Sequence, residues 1–133
     1  MKNDSKGTRP IWFDETTRTA RVIDQRRLPH EFVTAELVDV DDVITAIKEM
    51  YVRGAPLIGA TGAFGVYTAL LRDKEKKGGD EYLAGECRRI KGARPTAVNL
   101  AWGVDRVFAA AVQQRGYDER LAAALEEARA IVE

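Results

Sequence analysis

The chain has one cysteine, Cys87, and one histidine, His30, in 133 residues. A lone cysteine closes no internal disulfide, and no metal-ligand spacing surrounds either residue, so no metal is expected. Scarce cysteine fits a reducing, cytoplasmic setting. Excess charge of one sign is also missing, with 21 Lys and Arg against 21 Asp and Glu. The broad basic footprint of a nucleic-acid binder is therefore lacking, and the run Arg88-Arg89-Ile90-Lys91 reads as a solvated helix end. Residues Met1 to Gly7 are polar and have no apolar stretch of the signal-peptide kind. The longest uncharged run, Gly54 to Leu71, holds 18 residues, the lower limit for a membrane span. Five of its positions are Gly or Pro and two are Thr, so it reads as a buried helix and no membrane role is expected.

What is present is enough apolar character, 45% of residues, for one globular core. Residues 1–10 read as a disordered lead, and 11–133 as one sheet-plus-helical-bundle domain of α+β class. Ile11-Trp12-Phe13 forms a strand, Asp14 to Thr17 a turn, and Arg18 to Asp24 a second strand. Gln25 to His30 connects to a third β-rich run over Glu31 to Val38, giving a small antiparallel sheet. From Asp39 the period becomes helical: Val40, Val43, Ile44, Ile47 and Met50 share one face, with Asp39 or Asp41 as cap. A second helix runs from Pro56 to about Arg72. Its Gly59, Gly62 and Gly65 each cost roughly 1 kcal/mol of helix propensity relative to Ala, so close backbone approach is expected there. Asp80 caps a third helix to about Lys91. A fourth runs from Pro95 or Thr96 to about Arg115, and a fifth starts at Asp118 with Leu121, Leu125, Ala128 and Val132 inward. That helix reaches Glu133 without a capping glycine, which reads as a chain that continues.

Two segments carry the chemistry: Val52-Arg53-Gly54-Ala55-Pro56-Leu57-Ile58-Gly59 and Ala93-Arg94-Pro95-Thr96-Ala97-Val98-Asn99-Leu100. Each sets an arginine at a helix mouth that starts with proline. Proline suits the first turn, where its missing N–H is no loss. That turn also leaves backbone N–H groups unpaired at the positive end of the helix dipole. An arginine beside such an end makes an anion site, and two in one domain point to a phosphorylated ligand. Gly54 is expected at φ > 0 as a C-cap of the first helix. Asn99 reads as a buried structural hydrogen-bonder, Tyr67 and Trp102 as core, and Trp12 as strand packing. His30 reads as an exposed loop residue, and Cys87 as a small buried filler.

These two segments, with Asp24-Gln25-Arg26-Arg27-Leu28-Pro29, resemble the N-terminal portion of the methylthioribose-1-phosphate isomerase family. Its superfamily includes ribose-1,5-bisphosphate isomerase and the alpha, beta and delta regulatory subunits of initiation factor 2B. The resemblance runs from about Ile11 to the end. It implies a sheet with a helical bundle, followed by a Rossmann-like domain that this chain lacks, in a cytoplasmic homodimer. It implies isomerisation of 5-methylthioribose-1-phosphate to 5-methylthioribulose-1-phosphate in methionine salvage, with no cofactor. Substrate contacts carry over to Arg53, Gly54, Ala55 and Arg94. The family's catalytic cysteine and aspartate match no position here, so no catalytic residue is expected in this chain, and Cys87 lacks the family's surrounding motif.

Phosphate on the anomeric oxygen blocks spontaneous ring opening, so such an enzyme must protonate the ring oxygen and then move hydrogen between adjacent carbons. Hydride and enediolate routes both stay open at this point. Rival readings are ribose-1,5-bisphosphate isomerase, a non-catalytic initiation factor 2B-like subunit, and a pure interaction domain.

Overall fold

The computed structural model describes residues 10–132. Residues 1–9 of the expected lead lie outside the described residues. Strands β1 (Ile11–Asp14), β2 (Thr19–Ile23) and β3 (Thr34–Leu37) form an antiparallel sheet in that order. The register pairs Ile11 with Val22, Phe13 with Ala20, Ala20 with Leu37 and Val22 with Ala35. Alternation therefore puts Ile11, Phe13, Ala20, Val22, Ala35 and Leu37 on the face that packs on the core. Asp14 closes the first hairpin by accepting the Thr16 N–H at 3.0 Å. The third strand is shorter than the sequence led us to expect. Ile23, the last residue of β2, pairs with Thr34, and the chain then enters a 3-10 turn at Gln25–Arg27, leaving residues 31–33 without a partner strand.

Five helices follow: α1 (Val40–Lys48), α2 (Ala55–Leu71), α3 (Asp80–Lys91), α4 (Val98–Val112) and α5 (Tyr117–Val132). Asp39 caps α1, accepting the Asp42 N–H at 2.9 Å. The helix stops at Lys48, before the expected Met50, which instead has φ 65°. Gly79 takes the cap position of α3, and Asp80 lies inside its first turn, 2.8 Å from Arg120.

Helix α2 explains the uncharged run. Every residue from Leu57 to Leu71 is buried, because the helix is the axis around which α1, α3, α4, α5 and the sheet pack. Phe13 from the sheet stacks on Phe64 with ring centres 5.8 Å apart and meets Tyr67 edge-on at 5.6 Å. Among the described residues, no helix is long and apolar enough to cross a membrane.

The glycine stripe divides into two kinds of contact. A methyl group on Gly59 would lie 2.8 Å from the Asn99 carbonyl oxygen, whereas at Gly62 and Gly65 it would meet side chains of α4 or of α1 and α3. Gly103 on α4 answers Gly59, its Cα facing the Gly59 carbonyl. The two helices thus cross backbone to backbone, and the crossing lies near both N-termini. Trp102 is not core. It is 51% exposed, with the Arg106 guanidinium 5.3 Å above its ring. Tyr67 and Cys87 are buried as expected, and His30 is exposed.

Candidate functional site

The first arginine loop spans residues 49–54, between the end of α1 and the start of α2. Gly54 is the cap residue of α2, with φ 94° and ψ 135°, a conformation that strains any side chain bearing a Cβ. Its left-handed φ is therefore as expected, but it begins α2 and does not cap α1. No side chain caps α2. The first helical bond runs from the Ile58 N–H to the Gly54 carbonyl at 3.0 Å. The Ala55 and Leu57 N–H groups thus have no partner within the helix, and Pro56 has no N–H to offer.

The second loop differs from the sequence-based expectation. Pro95 and Thr96 are not helical. They form the centre of a β-turn closed by the Ala97 N–H donating to the Arg94 carbonyl at 3.0 Å, with Pro95 at a position that suits its fixed φ. Ala97 is extended at φ −83° and ψ 100°, and α4 begins at Val98 without a side-chain cap. The Leu100 and Ala101 N–H groups both donate to the Ala97 carbonyl, which leaves those of Val98 and Asn99 outside the helical ladder.

These two helix starts face one cavity of about 400 Å³. All four candidate binding residues, Arg53, Gly54, Ala55 and Arg94, line it, and Ala97 to Asn99 complete the α4 side. Met50 and Ile58 supply an apolar border that the sequence reading did not assign to the site. Asn99 is exposed on this cavity instead of being buried as expected, since Leu100 takes the inward position on α4. Arg53 is exposed and Arg94 half-buried. Among the described residues, neither guanidinium pairs with a carboxylate, in contrast to Arg26, Arg89 and Arg120.

The chemistry available here is anion binding. Two guanidinium groups, neither paired with a carboxylate among the described residues, and two uncapped helix starts converge on one open cleft. Among the described lining residues there is no carboxylate, imidazole or thiol. This wall supplies positive charge and N–H donors, not a proton carrier. No group of three or more His, Cys, Asp or Glu able to hold a metal occurs among the described residues. Cys87 lies in α3 away from the cavity, 4% exposed, and burial pushes its thiol up to about 12.

Comparison with known proteins gives this geometry a context. The chain is 55% identical over 130 residues to methylthioribose-1-phosphate isomerase of Desulfosudis oleivorans, an alignment covering 98% of this chain and 35% of that protein. It is 46% identical to the isomerase of Desulfatibacillum aliphaticivorans, covering 100% of this chain and 36% of the relative. The chain thus spans about a third of the length of these curated relatives. Among solved structures it resembles subunit delta of translation initiation factor eIF-2B from A. fulgidus, with TM-score 0.86 and 33% identity over 92% of this chain and 36% of the other. It also resembles 5-methylthioribose 1-phosphate isomerase from Pyrococcus horikoshii, with TM-score 0.78 and 34% identity over 92% of this chain and 35% of the other. Residues 51–133, which begin two positions before Arg53 and take in both arginines and both helix starts, match the initiation factor 2 subunit family, and the chain belongs to that family.

Proposed function

We propose that this chain forms the phosphate-gripping wall of an aldose–ketose isomerase acting on 5-methylthioribose-1-phosphate in the cytoplasm. The observation that carries the reading is the shared cavity: Arg53 and Arg94, from loops 41 positions apart, line one cleft with two uncapped helix starts. The anomeric phosphate accepts hydrogen bonds from the guanidinium groups and from the N–H groups of Ala55 and Val98. Gly54 permits the close backbone approach. Two cations in the cavity suit one phosphate better than the two of ribose-1,5-bisphosphate. The ring-opening acid and the group that relays hydrogen come from a second, Rossmann-like domain, and the whole protein works as a homodimer.

The test is a chimera in which these residues replace the matching third of the Desulfosudis isomerase. The expected result is turnover of 5-methylthioribose-1-phosphate. Arg53→Ala or Arg94→Ala should raise KM by roughly ten- to a hundred-fold, the loss of one charge-assisted hydrogen bond to the bound anion. A folded, active chimera with KM unchanged by both substitutions overturns the assignment. The likeness to the A. fulgidus subunit supports a second reading, a non-catalytic regulatory subunit that keeps the anion site. An inactive chimera that still binds the sugar phosphate, with that binding lost in Arg94→Ala, favours the second reading.

A further inference from the structure

The Arg53 loop is held from outside the cavity, by the 3-10 turn Gln25–Arg27. Neither the helix packing nor the proposed ligand contacts account for this. After α1 ends, residues 49–54 have no regular structure, and Met50 sits at positive φ. A loop of this kind fixes a guanidinium only if something fixes its backbone.

The fixing point is Tyr51, two residues before Arg53. Its N–H donates to the Ala46 carbonyl at 2.9 Å, and its own carbonyl accepts the Gln25 N–H at 2.8 Å. Its ring lies under the Arg26 guanidinium, 4.2 Å from carbon to ring centre. Arg26 is itself locked by a two-pronged pair with Asp24, Nε to Oδ1 at 2.9 Å and Nη2 to Oδ2 at 2.8 Å. Asp24 is 4% exposed and also accepts the Arg26 N–H at 3.1 Å. The Arg26 hydrogen bond holds its carboxyl below the usual range, so it is an anion at neutral pH. The Asp24 N–H donates to the Val33 carbonyl at 2.7 Å, which ties this turn to the sheet. Between Tyr51 and Arg53 stands Val52, fully buried.

We infer that Asp24, Arg26 and Tyr51 form a clamp that sets the Arg53 guanidinium in place for the anion. The carboxylate orients Arg26, Arg26 covers the Tyr51 ring, and the Gln25 N–H holds the Tyr51 carbonyl. The loop then reaches the cavity from a fixed origin. These three are positioning residues: none of them lines the cavity. The inference rests on the anion-site reading above, and its test separates the two.

Backbone amide exchange of the chain reads the clamp directly, and titration with inorganic phosphate reads its consequence. Tyr51→Leu removes the ring, Tyr51→Phe keeps it, and Arg26→Lys keeps the charge but loses the fork. The expected result is that Tyr51→Leu and Arg26→Lys speed exchange about ten-fold at Gln25 and at residue 51, the two amides hydrogen-bonded at the clamp. Exchange at Leu100 and in the middle of α2 should be unchanged. Phosphate affinity should fall on the order of ten-fold in both variants and return in Tyr51→Phe. Unchanged exchange at Gln25 and at residue 51 in a folded Tyr51→Leu protein overturns the clamp. Faster exchange with unchanged phosphate affinity overturns its positioning role. If the unaltered chain binds no phosphate, the anion-site reading fails and the positioning role with it, whatever the exchange rates show about loop order.

Discussion

The crossing of α2 and α4 sets the distance between the two helix starts, so a single methyl group placed there should loosen both fold and site. Gly103→Ala is the sharpest such perturbation. Its new Cβ would run into the Gly59 carbonyl, with Gly59 carbon and Cα also in the way, and none of these atoms can rotate aside as a side chain would. Overpacking of this sort costs about 1–3 kcal/mol, and a backbone obstacle puts the cost near the upper end. Alanine returns roughly 1 kcal/mol of helix propensity. The net loss is about 2 kcal/mol, which for a domain of this size is a fall in Tm of roughly 6–10 °C. Thermal unfolding followed by circular dichroism measures it.

The comparison substitution is Gly65→Ala. There the obstacles are side-chain atoms, a Val43 methyl at 2.9 Å and an Ile90 methyl at 3.0 Å, which can move where a backbone carbonyl cannot. Propensity offsets most of that cost, so Gly65→Ala should move Tm by no more than about 3 °C. A Gly103→Ala protein as stable as the parent, or a larger loss at Gly65 than at Gly103, would refute the backbone-crossing account.

Stability should fall in acid. The Asp24 carboxyl is depressed chiefly by the Arg26 hydrogen bond, and at Asp73 three backbone N–H donors outweigh the burial that would otherwise raise it. Both groups therefore stabilise the fold above the unfolded carboxylate value, about pH 4, and lose that contribution as pH drops through their lower folded values. Tm measured from pH 6 down to pH 2 should show this decline, and Asp24→Asn should flatten part of it; an equal slope in the variant would contradict the pairing. Cys87 should resist a disulfide reagent at pH 8 in the native chain and react only on unfolding, because burial keeps its thiol protonated up to about 12. Rapid native-state modification would mean that α3 opens readily. Trp102→Ser should cost no more than about 1 kcal/mol, against about 3–5 for a core tryptophan, since the residue is half exposed and carries the Arg106 guanidinium over its ring. Urea unfolding distinguishes the two.

The parts of this fold that could be read from residues alone are those where local chemistry leaves one answer. An 18-residue stretch without charge, rich in glycine, had to be interior or membranous, and its small residues favoured the interior. The alternation of Ile11, Phe13, Ala20 and Val22 similarly fixes one face of a sheet. Pro95 was different. A fixed φ near −65° serves the first turn of a helix and the second position of a β-turn equally well, so Pro95 alone does not mark where α4 starts. Trp102 could have been read correctly. Leu100, Val104, Val107 and Ala111 mark the buried stripe of α4, and position 102 lies about 200° around the helix from Leu100. Gly103 as the partner of Gly59 was beyond reach, because nothing in sequence says which two helices cross or at which residue. The same holds for the clamp on Tyr51, whose parts lie 25 positions apart.

Likeness of fold does not choose between an isomerase and a translation-factor subunit, since the chain resembles solved structures of both at similar identity. The choice therefore falls to the cavity. A regulatory role needs the anion only to be bound. Isomerisation needs it held at one distance from groups that open the sugar ring, because a misplacement of about 1 Å can cost a hundred-fold in rate. Rigidity beyond what binding requires is then the property that separates the two. Two features would supply it here, the backbone contact of Gly59 with Gly103 and the inferred tie from Asp24 to Tyr51. In an isomerase, loosening either device lowers kcat more than it raises KM. In a binding subunit only affinity changes, in proportion to the disorder introduced. Kinetics of the chimera carrying Tyr51→Leu or Gly103→Ala discriminate between these outcomes, and an effect confined to KM would argue against the catalytic assignment.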